Sequence, residues 1–583
     1  MDARLLSAPA MPLDELTPNA SSTPAPAPAP TLASPPAAAP CANTPDWWRG
    51  AVIYQVYPRS FADSNGDGIG DLRGITERLP HIASLGVDAI WVSPFFKSPM
   101  KDFGYDIADF RAVDPMFGDL ADFDALVARA HALGLRVLID QVLSHTSDQH
   151  AWFKASRASR DNPQADWYVW ADAKPDGTPP NNWLSVFGGS AWQWDTRRRQ
   201  YYLHNFLASQ PDLNLHTPAV QEALLDAVRF WLDRGVDGFR FDAVNFYFHD
   251  ARLRDNPPWG ERARTDHSTP DSNPYAWQRH LHDKTQAENL PFLRRLRALL
   301  DAYGATTCVG EIGDDDALAV MASYTSGGDK LHMAYTFNLL GEALDARQIR
   351  QTVEAVNASI GDGWPCWSIG NHDAPRVLSR VGGPDADPAL ALVLLALMLS
   401  LRGSACIYQG EELALTEVAL SFEQLRDPYG IAFWPEFKGR DGCRTPMPWQ
   451  HDAPHAGFSS AEPWLPVGPD HLHRAVDLQE ADAGSPLQRV RRFLAWRRAQ
   501  PLLSLGSLQL HDASPQVLML SRSSGADTLL AAFNLSAQPV CCAWPAGLQG
   551  RVVETLDGHG LGGRCTEAGI ELGPYAAFFG RPR

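Results

Sequence analysis

The chain has 583 residues, and its 68 acidic against 50 basic side chains give a net charge of −18 that repels phosphate backbones and anionic lipid surfaces. Nucleic-acid and membrane partners are therefore not expected, whereas the 45% of apolar residues can fill a large core in two or three globular units. Eight cysteines lie scattered with no CxxC pair and no zinc-like spacing with His, and read as reduced, mostly buried thiols.

Residues 1–45 form an Ala/Pro-rich tract that cannot bury enough apolar surface to fold, and are expected to be a disordered tail. The tract lacks the basic start and continuous apolar core of a secretory signal. The longest apolar run, "ALALVLLALMLSL" at 389–401, is too short to span a bilayer and suits a buried helix. A cytoplasmic protein is the expectation.

From residue 75 to 245 one unit recurs three times: an amphipathic helix, a helix-ending Gly, and a short apolar strand that ends in polar residues. The units are "ITERLPHIASLGVDAIWVSP", "FDALVARAHALGLRVLIDQV" and "VQEALLDAVRFWLDRGVDGFRFDAV". Helices alternating with apolar strands imply parallel strands covered by helices. Further strands are expected at 51–58, 306–312, 333–339, 366–373 and 405–412, which with those three makes eight. No GxGxxG follows any of them, so the fold class expected is α/β, a closed (β/α)₈ barrel over 46–145 and 215–504. The Trp-, Asn- and Asp-rich stretch 146–214 breaks the rhythm and reads as a subdomain inserted after the third strand. Over 505–583 short alternating stretches imply a C-terminal antiparallel β-domain.

In such a barrel reactive groups project from the C-terminal strand ends, which here carry Asp140 and His145, Arg240 and Asp242, Glu311, and His372 with Asp373. Any one of them could cap a helix or pair with a neighbour. Gathered on one rim, they cost too much desolvation for structural use alone. Two carboxyls in different environments can split an acetal, one attacking the anomeric carbon and the other protonating the leaving oxygen. Asp242 suits the attack, because Arg240, two residues earlier on the same strand face, favours the carboxylate form. Glu311, at the end of an apolar strand that would raise its pKa, suits the proton donor. Asp373 remains to bind sugar hydroxyls and stabilise developing positive charge.

At these residues the chain resembles the α-amylase family of glycoside hydrolases, and within it the α-glucosidase and oligo-1,6-glucosidase branch. The likeness rests on "DQVLSH" (140–145), "GFRFDAVN" (238–245), "VGEIG" (309–313) and "IGNHDAPR" (369–376), and covers the chain from about Trp47 onward. It implies Asp242 as nucleophile, Glu311 as acid/base and Asp373 as transition-state stabiliser. It further implies Asp102, Tyr105, His145, Arg240, His372 and Arg440 around a terminal glucose, with Phe187 and Phe206 lining the pocket. An ion pair from Asp102 to Arg440, or to the competing Arg444, would close the pocket end and impose exo-action. The small Ala243 after the nucleophile goes with short α-1,4 glucosides such as maltose.

Where family amylases place a calcium-binding Asn before the His of the first motif, this chain has Ser144, so that calcium site is not expected. The segment "DSNGDGIGD" instead places Asp63, Asn65, Asp67 and Asp71, with the Ile69 carbonyl, as oxygen donors. Gly74 stands where an EF-hand has its bidentate Glu, which excludes that motif. In the resembling glucosidases this loop holds one structural Ca²⁺ or Mg²⁺, and no organic cofactor is implied. A transglucosylase or disaccharide isomerase would use the same groups. A non-catalytic barrel that partners a transporter would have lost the catalytic acids and would carry a membrane anchor.

Overall fold

The computed structural model describes residues 44–260, 269–341, 344–549 and 552–582. The expected tail, up to residue 43, lies outside the described residues. Eight parallel strands follow: β1 (Val52–Val56), β2 (Ala89–Val92), β3 (Arg136–Val142), β4 (Gly238–Asp242), β5 (Thr307–Ile312), β6 (Met333–Thr336), β7 (Cys366–Trp367) and β8 (Ser404–Tyr408). Each pairs with its sequence neighbour from β1 to β6, β8 joins β7 to β1, and a parallel bridge between Ala334 and Pro365 closes the ring.

The repeating unit folds as its residues dictate. Asp71 caps helix Leu72–Leu85 by accepting the Gly74 N–H, and Asp119 and Asp122 form a capping box on helix Leu120–Ala132. Gly86, Gly134 and Gly235, the glycines that end the three repeated helices, take φ of 84°, 77° and 87°, where a side chain would be strained. Two apolar layers result. Helices pack on the outer face of the ring, while Ile53, Ala89, Leu138, Val309, Met333, Cys366 and Cys406 fill its floor. Helix Pro388–Met398 is buried continuously from Leu390 to Met398, as its uniform apolarity required. Each of its leucines contributes about 2 kcal/mol by leaving water.

Several strands end sooner than their sequences led us to expect: the one expected at 51–58 stops at Val56 and the one at 405–412 at Tyr408. The expected strand 333–339 turns into a 3₁₀ helix at Phe337–Leu339, and 366–373 is extended only at Cys366–Trp367. Residues 368–373 form a loop instead, since Gly370 passes so close to Glu411 that a Cβ would lie 2.2 Å from its carboxylate. This loop carries His372 and Asp373. Within 146–214 lie helix Ala151–Ala158 and a three-stranded sheet of Trp170–Ala171, Gln200–Leu203 and Trp192–Asp195. The C-terminal region holds a five-stranded antiparallel sheet and a smaller three-stranded one. No helix among the described residues is long and apolar enough to cross a membrane.

Candidate active site

Inward positions change character up the barrel, apolar at the floor and polar at the rim. Strand register puts the rim groups side by side: Asp140 stands opposite Arg240 across β3 and β4, and Glu311 opposite Tyr335 across β5 and β6. Arg240 is fully buried, and one guanidinium serves three acids. Its Nη1 reaches Asp140 at 2.8 Å and Asp242 at 2.5 Å, and its Nη2 reaches Glu311 at 2.7 Å. Nε and Nη2 also donate to the Tyr335 hydroxyl at 3.2 and 2.9 Å.

Three carboxylates around one cation cannot all stay ionised cheaply in a dry site. Burial pushes Asp242 and Glu311 up to about 7 and Asp140 up to about 6, each against the opposing pull of Arg240. The expected pull of Arg240 toward the Asp242 carboxylate is present, but it is not the largest influence. The arginine does favour the carboxylate, but burial outweighs it and Asp140 takes a share of the same charge. Asp373 behaves oppositely. Burial opposes its ionisation too, yet the His372 ring, Arg440 and Arg444 hold it well below the usual carboxylate range. Arg440 and Arg444 contact it at 3.2 and 2.7 Å.

The two arginines divide the work that the sequence left open between them. Arg440 Nη2 lies 3.0 Å from Asp102 and 2.7 Å from Asp427, whereas Arg444 spans Asp373 and the His372 carbonyl. His372, kept neutral by burial that lowers its pKa to about 3, stacks on Tyr105 with ring centroids 5.5 Å apart and planes at 6°. Its Nδ1 accepts from Gln55 at 2.7 Å, which leaves Nε2–H for the Tyr105 hydroxyl, and Tyr105 donates in turn to Asp140 at 3.1 Å. His145, with its pKa lowered by burial to about 4, faces the Tyr105 carbonyl and Gln210, and Gln210 also donates to Asp102 at 3.0 Å. Ser144 bonds the His145 ring at 3.0 Å. Phe206 lies 5.1 Å from His145, and Phe187 lies under Arg440 at 5.4 Å.

All twelve residues expected in catalysis and substrate binding thus form one contiguous cluster. Sequence reasoning missed Tyr335, Gln210 and Asp427. Asp427 precedes a proline and reads as the helix cap it also is, accepting the Tyr429 N–H. Gln210 lies in a stretch without periodicity. Tyr335 lies on β6, whose inward face alone could have flagged it.

The loop carrying Asp63, Asn65, Asp67, Ile69 and Asp71 stands apart from this cluster. Its acids and amide curl inward through bonds to the loop's own N–H groups: Asp63 accepts from Gly66 and Gly68, Asn65 from Asp67, and Asp67 from Ile69. Gly68, at φ 89°, has the Glu462 carbonyl 2.1 Å from where a Cβ would sit. Carboxylates, an amide oxygen and a carbonyl are the donor chemistry of a hard divalent cation, but among the described residues the carboxylates of Asp63, Asp67 and Asp71 do not gather closely enough to share one as they stand. Asp71 has further duties, accepting from the Ser64 N–H and hydroxyl and from Gly74 at the helix cap, three donors on a carboxylate with about four acceptor sites.

Comparison with known proteins agrees with this geometry. Residues 55–506 match the α-amylase catalytic domain. The chain is 56% identical to a probable α-glucosidase of Rhizobium meliloti (strain 1021), over 92% of this chain and 97% of that one. It is 37% identical to the oligo-1,6-glucosidase of Heyndrickxia coagulans, over 85% and 93% of the respective lengths. Among solved structures, an α-glucosyl transfer enzyme, XgtA, superposes with a TM-score of 0.90 at 58% identity, covering 92% of this chain and 99% of that one. The trehalulose synthase MutB of Pseudomonas mesoacidophila MX-45 superposes at 0.82 with 34% identity, covering 92% and 99%. A closed parallel barrel with an acid-rich C-terminal rim, matched over most of its length, places this chain in the α-amylase family of glycoside hydrolases.

Proposed function

We propose that the protein is a retaining, exo-acting α-glucosidase that cleaves terminal α-glucosidic bonds of short maltose-like substrates. Asp242 is the nucleophile, Glu311 the acid/base and Asp373 the stabiliser of the oxocarbenium-like transition state. The observation that carries this reading is the single Arg240 guanidinium gripping both Asp242 and Glu311. Carboxyls held by two nitrogens of one guanidinium favour the close spacing of about 5–5.5 Å used for double displacement over the roughly 6.5–9.5 Å that admits a water. In the first step Glu311 gives its proton to the glycosidic oxygen, which departs with the bonding pair as Asp242 joins the anomeric carbon. In the second, the carboxylate of Glu311 takes a proton from water, whose oxygen displaces Asp242. Asp373, already ionised, faces the positive charge that develops in both.

The Asp102 and Arg440 pair, backed by Asp427 and Gln210, supports a blind pocket that admits only a chain end. The small Ala243 supports the α-1,4 preference. Oxygen donors on the loop 63–71 would hold one Ca²⁺ or Mg²⁺, a structural charge that rigidifies the turn before helix Leu72–Leu85.

Transfer to an alcohol in place of water is the second reading, and the 58% identical α-glucosyl transfer enzyme favours it. Maltose, isomaltose, sucrose and trehalose, each with and without a phenol or second sugar, distinguish the two when products are followed by NMR. Hydrolysis with α-glucose released first is expected. β-Glucose as the first product overturns the retaining reading, and predominant transfer replaces hydrolase by transglucosylase.

A further inference from the structure

Tyr335 has no part in the reaction as described above, yet its hydroxyl lies between the proton donor and the central arginine. It sits on β6 opposite Glu311 in strand register, buried to 2% exposure. Arg240 donates to the Tyr335 oxygen twice, from Nε at 3.2 Å and from Nη2 at 2.9 Å. An arginine has only donors, so these two bonds occupy both lone pairs of the phenolic oxygen. The single phenolic proton then has one partner left, Glu311 Oε1 at 3.0 Å. The other carboxyl oxygen, Oε2, faces the Ala243 N–H at 3.1 Å and Arg240 Nη2 at 2.7 Å.

We infer that Tyr335 is a positioning residue for Glu311, whose hydroxyl, fixed as a donor by Arg240, holds the carboxyl in one orientation and tunes its proton affinity. The inference rests on Glu311 being the acid/base. Two consequences follow from the geometry. The carboxyl cannot rotate to exchange its oxygens without breaking the bond from Tyr335. A donor aimed at Oε1 also favours the ionised form of Glu311, in the same direction as Arg240 and against Asp242, Asp373 and burial. Those groups, with Tyr335 on the flanking β6 and Asp140 one strand further on β3, are the charged and titratable neighbours that set its titration.

Tyr335→Phe removes the oxygen and keeps the ring, and tests the inference on two readouts. One is the alkaline limb of kcat/KM, which reports loss of the Glu311 proton in the free enzyme. Loss of a donor to a carboxylate should move that limb upward by about 1 pH unit. The second is leaving-group dependence. Maltose and phenyl α-glucoside need protonation of the departing oxygen, while 2,4-dinitrophenyl α-glucoside does not. The variant should lose roughly 10-fold or more on the first two substrates and under about 3-fold on the last, with KM little changed. An unmoved limb, or equal losses on all three substrates, would overturn the inference. Glu311→Gln, assayed alongside, separates the two failures. If it keeps activity on maltose, the acid/base assignment falls. If it is inactive on maltose while Tyr335→Phe shows neither signature, only the role of Tyr335 falls.

Discussion

Asp242 and Glu311 share a guanidinium, and burial lifts both to about 7, so they titrate as a pair rather than as two independent groups. Turnover needs one ionised and the other protonated. The dependence of kcat/KM on pH should therefore be bell-shaped and narrow, centred near neutrality, and a broad plateau from about pH 5 to 9 would contradict the shared charge. The same shifts affect stability. A carboxyl raised above its unfolded value near 4 binds its proton more tightly in the folded state, so its contribution is intact below about pH 4 and lost as pH rises through about 7. Asp242→Asn, neutral at every pH, should abolish turnover yet melt about 1–3 °C higher than the wild type at pH 8. That advantage should vanish toward pH 4–5. An advantage that grows on acidification would reverse the sign of the argument.

At the scale of single elements, the strand ends were legible because β3, β4 and β5 are apolar until their last polar residues, a pattern that period-two alternation and barrel topology convert directly into a rim. The 366–373 segment was harder to read, since its polar tail looks like more strand but leaves the sheet after Trp367 where Gly370 crosses Glu411. Tyr335, Gln210 and Asp427 were invisible for a related reason: each matters through a partner distant in sequence, which local periodicity cannot supply. The loop 63–71 stands out by its spacing, an Asp/Asn/Gly run with oxygen donors at alternate positions, and its ion is a proposal that chelation tests. Chelation by EDTA, followed by calorimetry, should lower the apparent Tm by at least about 2 °C while leaving kcat/KM at 25 °C within about twofold. Asp63→Ala should remove the response to chelator. An EDTA-insensitive wild type would mean that the loop turns without an ion.

Across the whole molecule, the C-terminal sheet is tied to the barrel by a buried arginine that donates to backbone carbonyls. Arg522, on strand Val517–Ser524, donates to the carbonyls of Ser400, Leu401, Leu503 and Gly506 and lies among no carboxylates, so burial lowers its pKa to about 9. Ser400 and Leu401 follow helix Pro388–Met398, so the guanidinium meets the negative end of a helix that would otherwise leave orphan carbonyls in the core. Arg497 does the same for Leu399 and Gly50. Arg522→Met keeps the apolar stem and strands four carbonyls, and should cost about 3 kcal/mol or more, seen as a lower apparent Tm with kcat unchanged at 25 °C. A variant as stable as the wild type would show that water replaces the guanidinium. Such capping is illegible in sequence, where a lone Arg in an alternating β-strand looks like a surface residue.

Strands β3, β4 and β5 of the barrel hold one guanidinium against three acids. Everything in the proposed reaction depends on which of those acids bonds to sugar. Incubation with a 5-fluoro-α-glucosyl fluoride, followed by proteolysis and mass spectrometry, measures this directly. The account predicts one added glycosyl mass per chain, carried by the peptide that contains Asp242, and none in Asp242→Asn. A label on Glu311 or Asp373, or rapid turnover with inversion at the anomeric carbon, would contradict it.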